Sequence, residues 1–232
     1  MTRRAHRRSA GRPLADPDRD TRALLLTAAT ELFSMHGIAA TTFSTIARRA
    51  GVTPAMVHYH FSNRDDLIDA IVEERLVPSL AEVWGPVQPD DQPAAVLSGV
   101  VQRLLTVIER ERWLPSTWMR EILNEGGLLR ARVIPRIPRD KIFHLAQQIQ
   151  RLQGEGTMNP GLNPLLIVFS TIGLVMLHMS TANAFAEIFD RPPLRVDEIQ
   201  RHITALLLWG LNPEATSPPV PSTTPNPQGR KS

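Results

Sequence analysis

Cysteine is absent from the 232 residues of this chain. Its absence excludes disulfide bonds, thiolate metal sites and cysteine nucleophiles together. A protein without disulfides depends on its hydrophobic core for stability, and a chain of this length can bury a large one. We therefore expect a folded protein of the reducing cytoplasm.

We expect neither a secretion signal nor a membrane-spanning segment in this sequence. Residues 9–22 contain three aspartates and two prolines in place of the apolar stretch that a signal peptide requires. The most apolar stretch, from Leu165 to Met179, is shorter than the roughly 20 residues needed to cross a bilayer, and it contains Gly173 and His178. We interpret it as a buried helix and expect no association with a membrane.

The alternation of apolar and polar residues that is typical of β-strands is nearly absent, whereas apolar residues recur at spacings of three and four. This pattern predicts an all-α fold. Glycines and prolines mark the ends of about nine helices. The predicted helices span about 20–36, 43–50, 54–61, 64–77, 93–110, 114–132, 139–153, 164–189 and 195–210.

Acidic residues are missing from the first dozen positions, which contain Arg3, Arg4, Arg7, Arg8 and Arg12. The net charge of the whole chain is only +3, so the positive charge is concentrated locally. A basic arm of this kind either contacts a polyanion or stays solvated, and the sequence leaves both alternatives open. The tail after Leu211 is rich in Pro, Ser and Thr, and we expect it to be disordered because it has too few apolar residues to bury.

The stretch from Thr41 to Leu67 predicts a helix-turn-helix, in which two short helices are joined by a turn containing Gly51. Thr41 or Thr42 is predicted to cap the first of these helices and Thr53 the second, and Ser62 or Asn63 is predicted to cap the longer helix that follows. Small apolar residues are expected to lock the two short helices together at a steep angle. These core residues are Ile46, Ala47, Val52 and Val57.

This stretch closely resembles the DNA-binding domain of the TetR family of transcriptional regulators. The resemblance covers roughly residues 20–70. Its most specific part is Ala50-Gly51-Val52-Thr53, which is followed by His58-Tyr59-His60-Phe61-Ser62-Asn63-Arg64. The resemblance implies a helix-turn-helix domain followed by a larger helical domain for effector binding and dimerisation. The expected division is a basic flexible arm at 1–19, a DNA-binding domain at 20–66, a ligand-binding and dimerisation domain at 67–211 and a tail at 212–232.

The resemblance also implies which residues contact DNA. A recognition helix presents its first half to base edges, while neighbouring residues hold phosphates. By resemblance, base-reading positions fall on Ser44, Pro54, Ala55, Met56 and His58. Phosphate-contacting positions fall on Thr42, Thr53, Tyr59, His60 and Arg64. His58 replaces the tyrosine that is usual in the family, and Pro54 replaces a polar or basic residue, so the operator sequence cannot be inferred by analogy.

We find no spacing that is typical of a catalytic triad, a phosphate-binding glycine loop or a metal site. His58 and His60 are two residues apart and diverge on a helix, so a metal cluster with Asp65 and Asp66 is not expected. We therefore expect no cofactor, no metal and no catalytic residue. An enzyme with a vestigial helix-turn-helix is the remote alternative.

The larger domain contains aromatic, methionine and histidine residues that either pack as ordinary core or line a cavity for an apolar effector. The candidate effector-binding residues are Trp84, Trp113, Trp118, Met119, Phe143, Phe169, Met176 and His178.

The last two predicted helices carry more apolar residues than a single buried stripe requires, and this excess favours a homodimer through them. The partners expected from the sequence are a double-stranded DNA operator, a second copy of the chain and a small-molecule effector. A repressor released by its effector fits this set of partners. An activator, or a repressor without an effector, would have the same DNA-binding residues.

Overall fold

The computed structural model describes residues 17–88 and 90–214 of the chain. These residues form ten helices and no strand, so the prediction of an all-α fold is confirmed. The arginines of the basic arm, and the tail beyond Glu214, lie outside the described residues. The described chain divides into two compact units, one containing the residues up to Leu80 together with Glu111–Ile137, and the other containing Ala81–Arg110 and the residues from Pro138 onward.

The first unit is built on three helices that we call the reading head, α1 to α3. Leu25 and Ala29 of α1 are buried, and α1 packs against α2, which in turn packs against α3. Helix α4 continues from the reading head, while α6 and α7 complete the unit. The helices are α1 (Pro17–His36), α2 (Phe43–Ala50), α3 (Pro54–His60), α4 (Arg64–Ile71 with Val72–Leu76 and Val77–Trp84), α6 (Leu114–Thr117 with Trp118–Ile122) and α7 (Arg130–Val133 with Ile134–Arg136).

The second unit consists of four long helices that pack around one another. Helix α5 packs against α9 and α10, and α9 also packs against α8 and α10. The last turn of α4, which ends at Trp84, belongs to this unit as well. The helices are α5 (Pro93–Arg110), α8 (Arg139–Gly154), α9 (Pro164–Phe189) and α10 (Val196–Leu211).

The prediction that the fourth helix ends near Val77 is wrong. Helix α4 passes through Pro78 because the preceding turn, Val72–Leu76, is a wider π-turn in which the Val77 N–H donates to the Val72 carbonyl. Proline has no N–H to donate and normally breaks a helix at this point. The Ser79 hydroxyl donates to the carbonyl of Arg75 at 2.7 Å, which satisfies another polar group of the widened turn.

The predicted helix over 114–132 is also wrong, because it is two helices separated by a turn. Helix α6 ends at Ile122 and α7 begins at Arg130. In the turn between them, a Cβ atom added to Gly127 would lie 2.2 Å from the carbonyl oxygen of Glu121. Only glycine allows the backbone to approach this closely, so the Gly126-Gly127 pair marks the break.

The interpretation of Leu165 to Met179 as part of a buried helix is only half correct. Helix α9 runs for 26 residues and is long and apolar enough, by length and composition alone, to cross a membrane. One face of it is buried, including Ile167 and Val175, while Leu166 and Phe169 on another face are exposed. The apolar run therefore forms two surfaces of α9: one packs within the unit, and the other is exposed.

Candidate nucleic-acid interface

The turn between α2 and α3 has the geometry of a helix-turn-helix. The Thr42 hydroxyl caps α2 by accepting a hydrogen bond from the Thr45 N–H at 3.2 Å. Gly51 ends α2 in the left-handed conformation, with φ +72°, which L-residues with a side chain adopt only at a cost. The two caps fix the length of α2 and the direction in which the chain enters α3.

Helix α3 begins as predicted, but Thr53 does not cap it. Thr53 occupies the N-cap position, and its side chain makes no capping hydrogen bond. Pro54 follows in the first turn, where a missing N–H is tolerated. Thr53 is exposed, and its hydroxyl does not stabilise the start of the helix.

The core under the two helices is nearly the one predicted. Ile46, Ala47 and Val57 are buried, whereas Val52 is only half-buried. Phe61 is buried as well and belongs to the core of the unit. At the start of α4, Asn63 provides the predicted cap by accepting from the Asp66 N–H at 2.9 Å.

Most of the predicted DNA-contacting residues lie together on the exposed side of α2 and α3. Met56 is half-buried, and Tyr59 is 72% exposed. The ring of His58 makes an edge contact with Phe43 of α2, with the ring centroids 5.1 Å apart. The exposed members are Thr42, Ser44, Thr53, Pro54, Ala55, His58 and Tyr59.

Two residues of the predicted set, His60 and Arg64, differ from the others. The His60 side chain is only 5% exposed, and its Nε2 lies 3.6 Å from the Asp18 carboxylate. Arg64 is exposed, but its guanidinium donates to the carbonyls of Ala39 and Thr41, at 3.4 and 3.1 Å. Both side chains therefore make contacts within the reading head.

Arg22 ties three parts of the first unit together, and the sequence provides no local signal for it. Its guanidinium donates to Glu74 at 2.6 Å and to the carbonyl of His60 at 3.3 Å. The same group lies over the ring of Phe61, 4.7 Å from its centroid. All of these partners are at least 38 positions away in sequence, so local spacing could not identify them.

The exposed side of α2 and α3 also carries no negative charge. No acidic residue occurs between Glu31 and Asp65. Arg48 and Arg49 lie at the end of α2, and Arg64 begins α4. This gap in the acidic residues is visible in the sequence, and it makes the surface electrostatically suited to a polyanion.

Helices α6 and α7 are held against the reading head and α4 by polar contacts. The buried Glu121 carboxylate accepts from the backbone N–H of Ile38, just after α1, at 3.4 Å. Arg132 donates to Asp69 at 2.5 Å and to Asp65 at 2.7 Å. The hydrogen bond to Asp69 raises the pKa of Arg132 above its usual value, so this guanidinium stays charged. Arg136 also pairs with Glu73, one turn further along α4.

The residues predicted to bind an effector differ widely in exposure. Trp84, Trp113 and Met176 are buried, whereas Trp118 and His178 are half-buried. Three of the eight, at positions 113, 118 and 119, belong to the first unit and the others to the second. The remaining three, Met119, Phe143 and Phe169, are exposed.

Residues 25–71 match the family model of bacterial regulatory proteins of the tetR family. A regulator from Pseudomonas putida, the uncharacterized HTH-type transcriptional regulator TtgW, is 34% identical over 125 residues. That match covers 53% of this chain and 90% of the relative. The HTH-type transcriptional regulator SrpR of the same species is 26% identical over 155 residues, which are 65% of this chain and 70% of the relative.

Solved structures show the same fold. The ketosteroid transcriptional regulator KstR2 of Mycobacterium tuberculosis superposes with a TM-score of 0.67 at 20% identity, over 88% of this chain and 99% of its own. A complex of SmeT with triclosan superposes with a TM-score of 0.56 at 22% identity, over 91% of this chain and all of its own. Over most of its length, therefore, the chain has the fold of these proteins.

Proposed function

Since this chain belongs to the TetR family of bacterial regulatory proteins, we propose that it is a cytoplasmic repressor that binds a palindromic operator as a homodimer. A small, largely apolar effector releases it from the operator. Its relatives are transcriptional regulators, not enzymes, so the alternative of an enzyme with a vestigial helix-turn-helix is dropped. The observation that carries the proposal is the exposed, acid-free side of α2 and α3.

DNA contact is assigned to the residues that this side exposes. Ser44, Ala55 and His58 face the bases together with Pro54 and Met56. Thr42, Thr53 and Tyr59 contact phosphates. Because apolar Pro54, Ala55 and Met56 can contact thymine methyls but cannot donate hydrogen bonds, readout depends heavily on Ser44 and His58. His60 and Arg64 support this surface through the contacts that they make within the reading head.

A selection of random duplex DNA by the purified full-length protein tests DNA recognition. We expect enrichment of a palindromic site, because a two-fold symmetric dimer reads two equivalent half-sites. Ala55→Glu places a negative charge on exposed α3 and should abolish binding. Gln147→Glu adds the same charge to an exposed position on α8 and should leave binding unchanged. Failure of the wild-type protein to enrich any site would contradict the proposal.

Dimerisation is assigned to the last two helices, α9 and α10. Both leave large apolar side chains exposed in a single chain, and a symmetric four-helix interface buries such faces on both copies. Phe169, proposed from the sequence as an effector contact, belongs to this surface instead. The exposed apolar residues are Leu165, Leu166, Phe169, Leu177, Ile188 and Phe189 of α9 with Leu206, Leu208 and Trp209 of α10.

The effector proposal rests on the family and on one buried hydroxyl. Thr117 of α6 is 1% exposed, and its hydroxyl has no hydrogen-bond partner among the described residues. An unpaired buried hydroxyl costs about 1–3 kcal/mol, which a bound acceptor group recovers. In the sequence, Thr117 lies four residues after Trp113 and directly before Trp118, and both tryptophans are predicted to contact the effector.

Thr117→Val tests this role, because it replaces the hydroxyl with a methyl of similar size. We expect the free variant to be as stable as the wild type or up to about 1 kcal/mol more stable. Aromatic compounds that carry a hydrogen-bond acceptor and release the wild type from its selected operator should release the variant at higher concentrations. Equal sensitivity of both proteins to every active compound would remove Thr117 from the effector site.

A further inference from the structure

Some arginines of the reading head and α4 form ion pairs or hydrogen bonds within the protein, and one does not. Arg22 pairs with Glu74, and Arg75 donates to α1. Arg49 pairs with Glu31 of α1 at 2.7 Å, and Arg64 donates to two backbone carbonyls. These four side chains therefore hold helices and loops of the first unit together.

Arg48 has no such contact. It is exposed near the end of α2, and no hydrogen bond, ion pair or ring contact of its side chain occurs in the described part of the chain. Its neighbour Arg49, on the same helix, has its guanidinium in an ion pair. The α2 helix does not need a long cationic side chain at position 48 in order to form. Fixing the Arg48 side chain in one conformation costs conformational entropy, which a bound ligand group has to offset.

The position of Arg48 relates it to the proposed DNA-binding surface. Ser44 and Arg48 are four residues apart on α2, so they share a face of the helix. Thr42, at the start of the same helix, is a proposed phosphate contact. No acidic residue between Glu31 and Asp65 competes for the guanidinium within this stretch. An arginine in such a setting is suited to a phosphate, which it binds through paired N–H donors.

We infer that Arg48 is a phosphate-contacting residue of the DNA complex, and that Arg64, assigned this role from the resemblance, is a positioning residue that holds the loop before α2. The inference rests on the proposed DNA-binding function. Arg48 contributes to binding on any sequence, because phosphates carry no sequence information. The base-reading residues of α3 are separate from this contribution.

The salt dependence of DNA binding tests the inference. Each phosphate neutralised on duplex DNA contributes about 0.9 to the slope of log K against log salt concentration. Two copies of Arg48 in a dimer contribute about 1.8, so wild-type affinity should fall about 12-fold more than that of Arg48→Gln between 50 and 200 mM salt. The change in slope should be the same on the selected operator and on unrelated duplex DNA.

Matched variants separate this role from others. Arg49→Gln removes the same charge one residue away and should leave the slope unchanged, and Arg48→Lys should retain the wild-type slope. Arg64→Gln should lower the thermal unfolding temperature, while Arg48→Gln should not.

An unchanged slope in Arg48→Gln, with wild-type DNA binding intact, would overturn the inference alone. A lowered unfolding temperature with an unchanged slope would show that Arg48 only stabilises the end of α2. Absence of DNA binding by the wild type would instead contradict the proposed function.

Discussion

At the scale of single residues, a few long polar side chains connect parts of the chain that are distant in sequence. Lys141 of α8 is an example in the second unit. Its ammonium group donates to the carbonyls of Trp84, Gly85 and Val87, at 2.8, 2.9 and 3.0 Å. These carbonyls lie where α4 ends, and the last carbonyls of a helix have no partner within it. Lys141 therefore acts as a remote cap for α4.

Replacing Lys141 by methionine should destabilise the protein by about 1.5–3 kcal/mol, because the charged donor is lost while the partly buried carbonyls remain. Urea unfolding followed by circular dichroism measures the difference. Arg151→Met on the same helix is the control, since the ion pair that Arg151 makes with Glu155, at 3.8 Å, is exposed to solvent. We expect the control to change stability by less than about 0.5 kcal/mol. Equal effects of the two substitutions would argue against the capping role.

Local rules predicted some residue roles and missed others. The caps at Thr42 and Asn63 follow from residue type and spacing, and both are present. Thr53 has the right type at the right position but makes no cap, because the choice between capping and facing outward depends on its surroundings. The roles of Lys141 and Arg22 depend on partners at least 38 residues away, which no local pattern specifies.

At the scale of helices, the widened turn of α4 explains how a proline lies inside a continuous helix. Pro78 follows the π-turn Val72–Leu76 and is exposed. Ala81, one turn later, is also exposed but lies in a regular part of the helix. Both positions are exposed, but only the regular helix at Ala81 requires a backbone N–H donor.

We expect Pro78→Ala to change stability by no more than about 1 kcal/mol, because the wider turn already accommodates the missing donor. Ala81→Pro should cost about 3 kcal/mol or more, because it removes a regular helical hydrogen bond and clashes with the preceding turn. Thermal unfolding of both variants provides the comparison. A severe loss in Pro78→Ala, or none in Ala81→Pro, would contradict this account of α4.

Proline and glycine predicted some helix ends correctly and were misleading at others. The boundaries of α5 and α9 agree with the prediction. Pro78 predicted a helix end that the π-turn avoids. Conversely, Gly126-Gly127 lie inside a predicted helix and break it, because Gly127 is held against the backbone of Glu121. These outcomes depend on hydrogen bonding and close packing, which residue periodicity does not report.

At the scale of the whole molecule, the exposed face of α9 offers a direct test of the proposed homodimer. Phe169→Glu should abolish the dimer, because each copy loses the burial of a phenylalanine worth about 2 kcal/mol, or roughly a thousandfold in dimer affinity for two copies. Phe143→Glu is the control, since Phe143 is 53% exposed, compared with 62% for Phe169, but lies on α8. Analytical ultracentrifugation distinguishes the two, and a dimeric Phe169→Glu protein would contradict the proposed interface.

The family and the all-helical fold follow from the sequence, because a short motif with fixed turn residues specifies the reading head. The effector-binding residues do not follow in the same way. Aromatic and methionine side chains serve in cores, in cavities and at interfaces alike, so their type and spacing cannot separate Trp113, which is buried, from Phe169, which is exposed.

The π-turn of α4 also has a consequence for how the gene can change. A π-turn contains one residue more than the α-turn that it replaces, and each residue rotates a helix by about 100°. Loss of a single codon within 72–76 would therefore close the π-turn to an ordinary α-turn and leave the residues of α4 on either side of it at nearly the same angle to one another. The same loss in a regular part of the helix would rotate every later residue by about 100°. A deletion within 72–76 leaves every codon of α2 and α3 intact. A mutation at this one turn can thus shorten α4 by one residue while the faces of the helix and the inherited DNA-recognition sequence stay the same.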